Sequence, residues 1–285
     1  MVLEKVKKPF YLLTLAALLV LTVVISGCGS SSKEGDKVQS DSGLSGTITI
    51  AGSTSVQPFS EVLAEKFMAK NPGVKINVQG GGSGQGIQAA TSGAAQIGSS
   101  SRDLTAQEKA QLTETKIAVD GIAVVVNTAN PVANLTADQV KNIFLGNIKN
   151  WKEVGGPDAI ITVVSREEGS GTRTAFEELL LDKQPAVKTA VVQASTGAVK
   201  TTVAGDKNAI GYDSLASVDQ TLKALKIDGV EPTPANVKNA TYKASRPFIY
   251  MTKGQPEGIS KAFIDFVMSA EGQQIISQQG AIPIK

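Results

Sequence analysis

Arg166-Glu167-Glu168-Gly169-Ser170-Gly171-Thr172-Arg173 follows the apolar run Ile160 to Val164 and precedes an amphipathic pattern that includes Phe176, Leu179 and Leu180. A strand running into a helix is therefore expected here, with Ser170 as N-cap and Gly171 leaving room for close approach to the backbone. The first N–H groups of such a helix have no intrahelical partner, and they face outward beside a Thr hydroxyl and two guanidinium groups. The chemistry of that junction is anion binding. Read alone, it serves equally as an ordinary helix cap with surface arginines.

Two further segments have the same form. Gly52-Ser53-Thr54-Ser55 follows a strand-like Thr47 to Ile50 and precedes Phe59, Val62, Leu63 and Phe67 at helical spacing, with Pro58 in the first turn. Gln79 to Gly86 is a Gly/Ser run after the strand-like Val74 to Val78 and before a short helix at Ile87. Its glycines allow successive amides to form an anion-binding concavity. A single Gly/Ser run reads as a flexible loop; three strand-to-helix junctions rich in Ser, Thr and Gly form a pattern.

The rest of the chain alternates strand and helix signals. Ala95 to Gly98 and Lys116 to Asn127 read as strands, the second holding the continuous apolar run Ile122 to Val126. Thr105 to Glu108 fits a capping box, and a capped helix is expected over Thr136 to Leu145. Asn208 to Tyr212 and Arg246 to Met251 read as strands, Ser214 to Ala224 and Pro234 to Asn239 as further short elements, and Ile259 to Met268 and Gly272 to Gln279 as closing helices. The class is α/β, with length enough for two lobes.

Lys5, Lys7 and Lys8 precede an uncharged run from Phe10 to Ile25, which leads to Ile25-Ser26-Gly27-Cys28. That is an export signal ending at a cysteine, and the run is shorter than the roughly 20 apolar residues of a membrane span. It resembles a bacterial lipoprotein signal, which implies cleavage after residue 27, lipidation of Cys28 and anchorage to the extracytoplasmic face of the cell membrane. Residues 28–45 are Ser-, Gly-, Asp- and Lys-rich and read as a flexible tether. The chain carries 28 basic and 26 acidic residues. Removing Lys5, Lys7, Lys8 and Glu4 leaves 25 of each. With no net field to attract nucleic acid, an anion must be caught locally.

Taken in order, the segments Gly-Ser-Thr-Ser from 52, Gln-Gly-Gly-Gly-Ser-Gly from 79, Ile-Gly-Ser-Ser-Ser-Arg from 97 and Arg-Glu-Glu-Gly-Ser-Gly-Thr from 166 resemble the phosphate-binding lipoproteins of bacterial phosphate ABC transporters. The likeness extends to Asp120 to Asn127 and to the end of the chain, Ser269 to Gln273 and Ile282-Pro283. It implies a two-lobed periplasmic-binding-protein fold of type II, with the ligand in the cleft between lobes. Lobe 1 is expected to comprise 46–127 plus 245–285 and lobe 2 to comprise 128–244, with crossings near Asn127 to Pro131 and Thr241 to Ser245. It also implies inorganic phosphate as ligand, permease subunits as partners, a monomeric state and no cofactor or metal.

The phosphate positions it implies are Ser53, Thr54, Ser55, Ser83, Arg166, Ser170, Gly171 and Thr172, joined by Ser100 and Arg102. Arg166 would offer a planar fork to two oxygens, while hydroxyls and helix-start amides add single hydrogen bonds. Some members of the family place an Asp after the Gly-x-Ser unit to accept the phosphate proton, whereas this chain has Ser101 there. Asp120 is the preferred substitute, an ordinary turn-capping carboxylate being the alternative; Asp103 comes second.

Rival functions fit less well. The chain contains no His and its single Cys lies in the lipid signal, which removes the usual nucleophile-base pairs of a phosphate-ester enzyme. Gly84 to Ala89 matches a dinucleotide Gly-x-Gly-x-x-Ala pattern only within a poly-Gly/Ser loop. A binding protein for sulfate or molybdate and an anion-sensing or adhesive surface lipoprotein both stay open at this level.

Overall fold

A computed structural model of the chain describes residues 43–284; the leader, Cys28 and most of the tether lie outside the described residues. Strand β1 (Gly46–Gly52), helix α1 (Gln57–Lys70) and strand β2 (Val74–Gly80) form a parallel βαβ unit, followed by α2 (Ser83–Ser92), β3 (Ile97–Ser100) and the short α3 (Ala106–Lys109). Phe59, Leu63 and Phe67 fall one helical turn apart on the buried face of α1, over Ile48 and Ile50 of β1. Pro58 occupies the first turn, where its missing N–H has no intrahelical partner in any case.

Strand β4 (Thr113–Asn127) leads to β5 (Asn134–Leu135), α4 (Ala137–Phe144), β6 (Thr162–Arg166) and α5 (Gly171–Leu180). Next come β7 (Val191–Gln193), α6 (Thr196–Gly205), β8 (Ala209–Ser214), β9 (Leu222–Ala224), β10 (Lys226–Ile227) and α7 (Pro234–Lys238). The chain closes with β11 (Ser245–Thr252), α8 (Gly258–Met268) and α9 (Ala270–Gln278). The capping box expected at Thr105 forms with Glu108, and the capped helix expected at Thr136 starts with a second box, in which Gln139 returns the bond. Ile160 is 76% exposed and stands before β6, which starts two positions further on. β7 and α6 fall between the expected elements; the helix is capped by Ser195, whose Oγ accepts from Ala198 N.

The strand order is β2-β1-β3-β11-β4-β8-β6-β7, with β9 also on β4. β4 and β11 are antiparallel at its centre. The first part of β4 pairs with β11 as far as Gly121, and from Ile122 onward it pairs with β8. Side chains change core at the same point: Ile117 and Ala118 pack with α1 and α8, whereas Ile122, Val124 and Val126 pack with Phe144, Trp151, Phe176 and Tyr212. On return, Ala244 belongs to the second core and Phe248 to the first. The handover in β4 thus precedes Asn127–Pro131, and no helix or loop breaks the strand there. Ile122 to Val126 are fully buried because the alternate residues Ala123 and Val125 pack under α6 on the opposite face.

Candidate anion-binding site

The C-terminal ends of β1, β3 and β6 and the starts of α1, α2, α5 and α6 bring hydroxyls from both cores together. Ser55 Oγ lies 3.0 Å from Thr172 Oγ1 and 3.0 Å from Thr196 Oγ1. Thr54 Oγ1 is 3.2 Å from Thr196 Oγ1 and accepts from Thr196 N at 3.2 Å. Ser83 Oγ accepts from Ser101 N at 3.0 Å. A methyl group added at Gly171 would stand 2.2 Å from Ser83 Oγ and 2.8 Å from Ser101 Oγ, so the start of α5 meets these serines with no room for a side chain. Ser170 caps α5 through its side chain, which accepts from Arg173 N.

Two buried arginines enter this cluster. Arg166, at the end of β6, donates through Nε and Nη2 to the two carboxylate oxygens of Glu167, at 2.9 and 2.8 Å. Its other edge faces the hydroxyls, with Nη1 donating to Thr196 Oγ1 at 3.4 Å and Nη2 to Thr54 Oγ1 at 3.2 Å. The planar group is oriented by its neighbour on one side and presented on the other. Arg246, on β11, donates through Nε and Nη2 to Asp120 Oδ2 at 3.2 and 3.0 Å, and through Nη2 to Ser55 Oγ at 3.2 Å. Burial pushes the Asp120 carboxyl above the usual carboxylate range, with the Arg246 charge opposing that shift.

The expected residues therefore divide. Thr54, Ser55, Ser83, Arg166, Gly171 and Thr172 converge, with Ser170 shaping the start of α5. Ser53 builds the turn beneath them, its Oγ accepting from Ser55 N. Ser100 and Arg102 do not join: Ser100 Oγ bonds the Arg102 backbone, and the Arg102 guanidinium is paired with Glu108 at 2.8 Å. Asp120 is near, but its Oδ2 is engaged by Arg246 and its Oδ1 accepts from Ala216 N at 3.4 Å. Asp103 is exposed. The Gly-rich loop contributes a bridge as well as amides, since Gly84 N donates to Gly169 O at 2.9 Å.

Thr196, Ser101 and Arg246 were not among the expected ligand positions. Thr196 had a signal, the run Ser195-Thr196-Gly197 repeating the hydroxyl-and-glycine form of the other junctions. An arginine inside the apolar stretch of β11 was the signal for Arg246. Two guanidinium groups, at least five hydroxyls and several helix starts make a site suited to a compact oxyanion. Among the described residues no group of three or more His, Cys, Asp or Glu side chains could hold a metal ion.

Fold and site together define a solute-binding protein, and residues 37–271 match the family model described as a PBP superfamily domain. The phosphate-binding protein PstS of Bacillus subtilis is 38% identical, over 98% of this chain and 95% of its own. A Clostridium perfringens substrate-binding protein crystallised with bound phosphate superposes with a TM-score of 0.82 at 46% identity, covering 84% of this chain and all of that one. An ABC-type phosphate transport receptor from Vibrio cholerae gives 0.69 at 41% identity, with 82% and 99% covered. The chain belongs to the PstS family of phosphate-binding proteins, and its fold is the mixed α/β fold of periplasmic binding proteins.

Proposed function

We propose that this chain captures inorganic phosphate between two lobes and hands it to the permease of a phosphate ABC transporter, with no chemical transformation. The observation that carries this reading is the meeting of Thr54 and Ser55 from one core with Arg166, Thr172 and Thr196 from the other within hydrogen-bond distance. An anion touching both sets favours the closed arrangement by its differential contacts, and closure is what a permease can read. The phosphate ligands are Thr54, Ser55, Ser83, Arg166, Gly171 and Thr172, with Ser170 presenting the α5 amides; Thr196 and Arg246 complete the set.

The lobes divide at Gly121–Ile122 in β4 and Ala244–Ser245 before β11, where pairing and core membership change. Two strands crossing in the middle of the sheet form the hinge. Lipidation of Cys28 would hold the protein on the extracytoplasmic face of the membrane, the tether giving it reach to the permease. Calorimetric titration of the detergent-solubilised, ligand-stripped full chain tests the ligand. Saturable phosphate binding with sulfate and molybdate silent is expected, and preference for either of those anions would overturn the assignment.

A further inference from the structure

Tyr212, on β8, touches the anion site from beneath without entering it. It is buried, and its ring stacks on that of Phe176 with centroids 4.0 Å apart and planes 11° from parallel. Phe144, at the end of α4, closes the cluster against both rings, at 4.7 Å from Phe176 and 5.7 Å from Tyr212. Phe176 stands one helical turn after Thr172, so the stack rests on the face of α5 that presents the Thr172 hydroxyl. A phenylalanine would fill this space equally well. What tyrosine adds is a buried hydroxyl, and such a group needs partners.

Its partners lie at the end of β6. The ladder between β6 and β8 runs over Thr162↔Ala209 and Val163↔Ile210. Three residues beyond, the Arg166 backbone N–H donates to Tyr212 Oη at 3.1 Å, and Ser165 Oγ lies 3.0 Å from the same oxygen. The Arg166 side chain is aimed separately, its Nε donating to Gln193 O at 3.2 Å as well as to Glu167. Glu167 and Gln193 thus set the direction of the guanidinium, while a hydroxyl on the neighbouring strand fixes the backbone that carries it. Burial pushes the Tyr212 phenol up to about 12, so the hydroxyl keeps its proton across the neutral range.

One side chain therefore holds both parts of what the second core brings to the site, the strand end with Arg166 through its hydroxyl and the helix with Thr172 through its ring. A planar fork and a helix start grip one small tetrahedral ion only when each is placed to within about 0.5 Å. Without the hydroxyl the buried Arg166 N–H loses its acceptor, and the strand end must shift to recover one. We propose that Tyr212 is a positioning residue for the bound anion: its hydroxyl sets the separation between the Arg166 guanidinium and the first turn of α5, and hence the fit of phosphate between them. This inference rests on the phosphate reading above.

Tyr212→Phe keeps the stack and removes only the hydroxyl. The test is phosphate titration of the full chain, of Tyr212→Phe, of Arg166→Ala and of the double variant, with thermal unfolding of each. Tyr212→Phe should weaken phosphate binding about tenfold. On the Arg166→Ala background, where no fork is left to misplace, the same change should cost less than about twofold, although it lowers the melting temperature equally in both. A folded Tyr212→Phe with wild-type affinity, or a loss no smaller on the Arg166→Ala background, overturns the proposal and leaves the phosphate reading standing; a wild type that binds no phosphate defeats both. Should Tyr212→Phe not fold, the wild-type chain carrying 13C at tyrosine Cζ reads the same link by NMR. The Tyr212 signal, assigned through the backbone, should move as Arg166 takes up phosphate, and an unmoved signal overturns the assignment.

Discussion

Truncating Arg166 removes a charge-assisted donor at the end of β6 and leaves Glu167 without its bidentate partner. Arg166→Ala should weaken phosphate binding by about 1.5 to 3 kcal/mol, roughly 10- to 150-fold, in a calorimetric titration of the folded variant. Asp213 yields a prediction of opposite kind. The unfolded chain releases the proton of this carboxyl near the ordinary carboxylate value of ~4, whereas burial keeps it on the folded chain to about 7. Between those values the native state binds the extra proton, so ligand-free stability falls as pH rises and levels off above the folded value. Asp213→Asn removes this dependence, worth on the order of 3 to 4 kcal/mol. Its ligand-free melting temperature should therefore fall less between pH 5 and 8 than that of the wild type, as read by calorimetry.

Helix α5 allows stability and binding to be separated within one element. Alanine at Gly171 suits a helical first turn better than glycine does, yet its methyl group would lie 2.2 Å from Ser83 Oγ. Gly171→Ala should melt within a few degrees of the wild type and lose phosphate affinity by more than tenfold, measured by thermal unfolding and titration in parallel. The Gly84 N–H to Gly169 O bond imposes a similar limit, because a methyl group at Gly84 would come within 3.3 Å of Gly169 Cα. Elements of this kind were legible from the chain where local chemistry sets them: Pro58 and the four-residue spacing of Phe59, Leu63 and Phe67 give α1, Ser170 gives α5, Thr105 gives the capping box of α3 and Thr136 the cap of α4. α6 was not, since β7 before it is three residues long with two exposed valines, and α6 itself contains glycine and β-branched residues that lower helix propensity. The Arg246–Asp120 pair is likewise invisible in one dimension, for only the β4–β11 register brings residues 126 positions apart together.

At the scale of the molecule, the proposed hinge is the centre of a single sheet, so opening would flex β4 and β11 where pairing passes from one set of strands to the other. Turn-forming residues before β11 place the expected later crossing at Thr241 to Ser245, beside the change of core between Ala244 and Phe248. The expected earlier crossing at Asn127 to Pro131 lies beyond the change of core in β4, because Ile122 to Val126 read as one buried strand and nothing local shows that its two faces pack against different clusters. Phosphate should reduce the radius of gyration of the stripped protein in solution scattering, and an unchanged profile on saturation would remove closure from the mechanism. The claim on which everything else depends is that a tetrahedral oxyanion sits among hydroxyls and guanidinium groups drawn from both cores. Anomalous diffraction from crystals grown with arsenate, which has the shape and the proton of phosphate, locates that anion directly. One arsenic peak within reach of Thr54, Ser83, Arg166 and Thr172 is the predicted result; a peak elsewhere, or none at saturating arsenate, would contradict it.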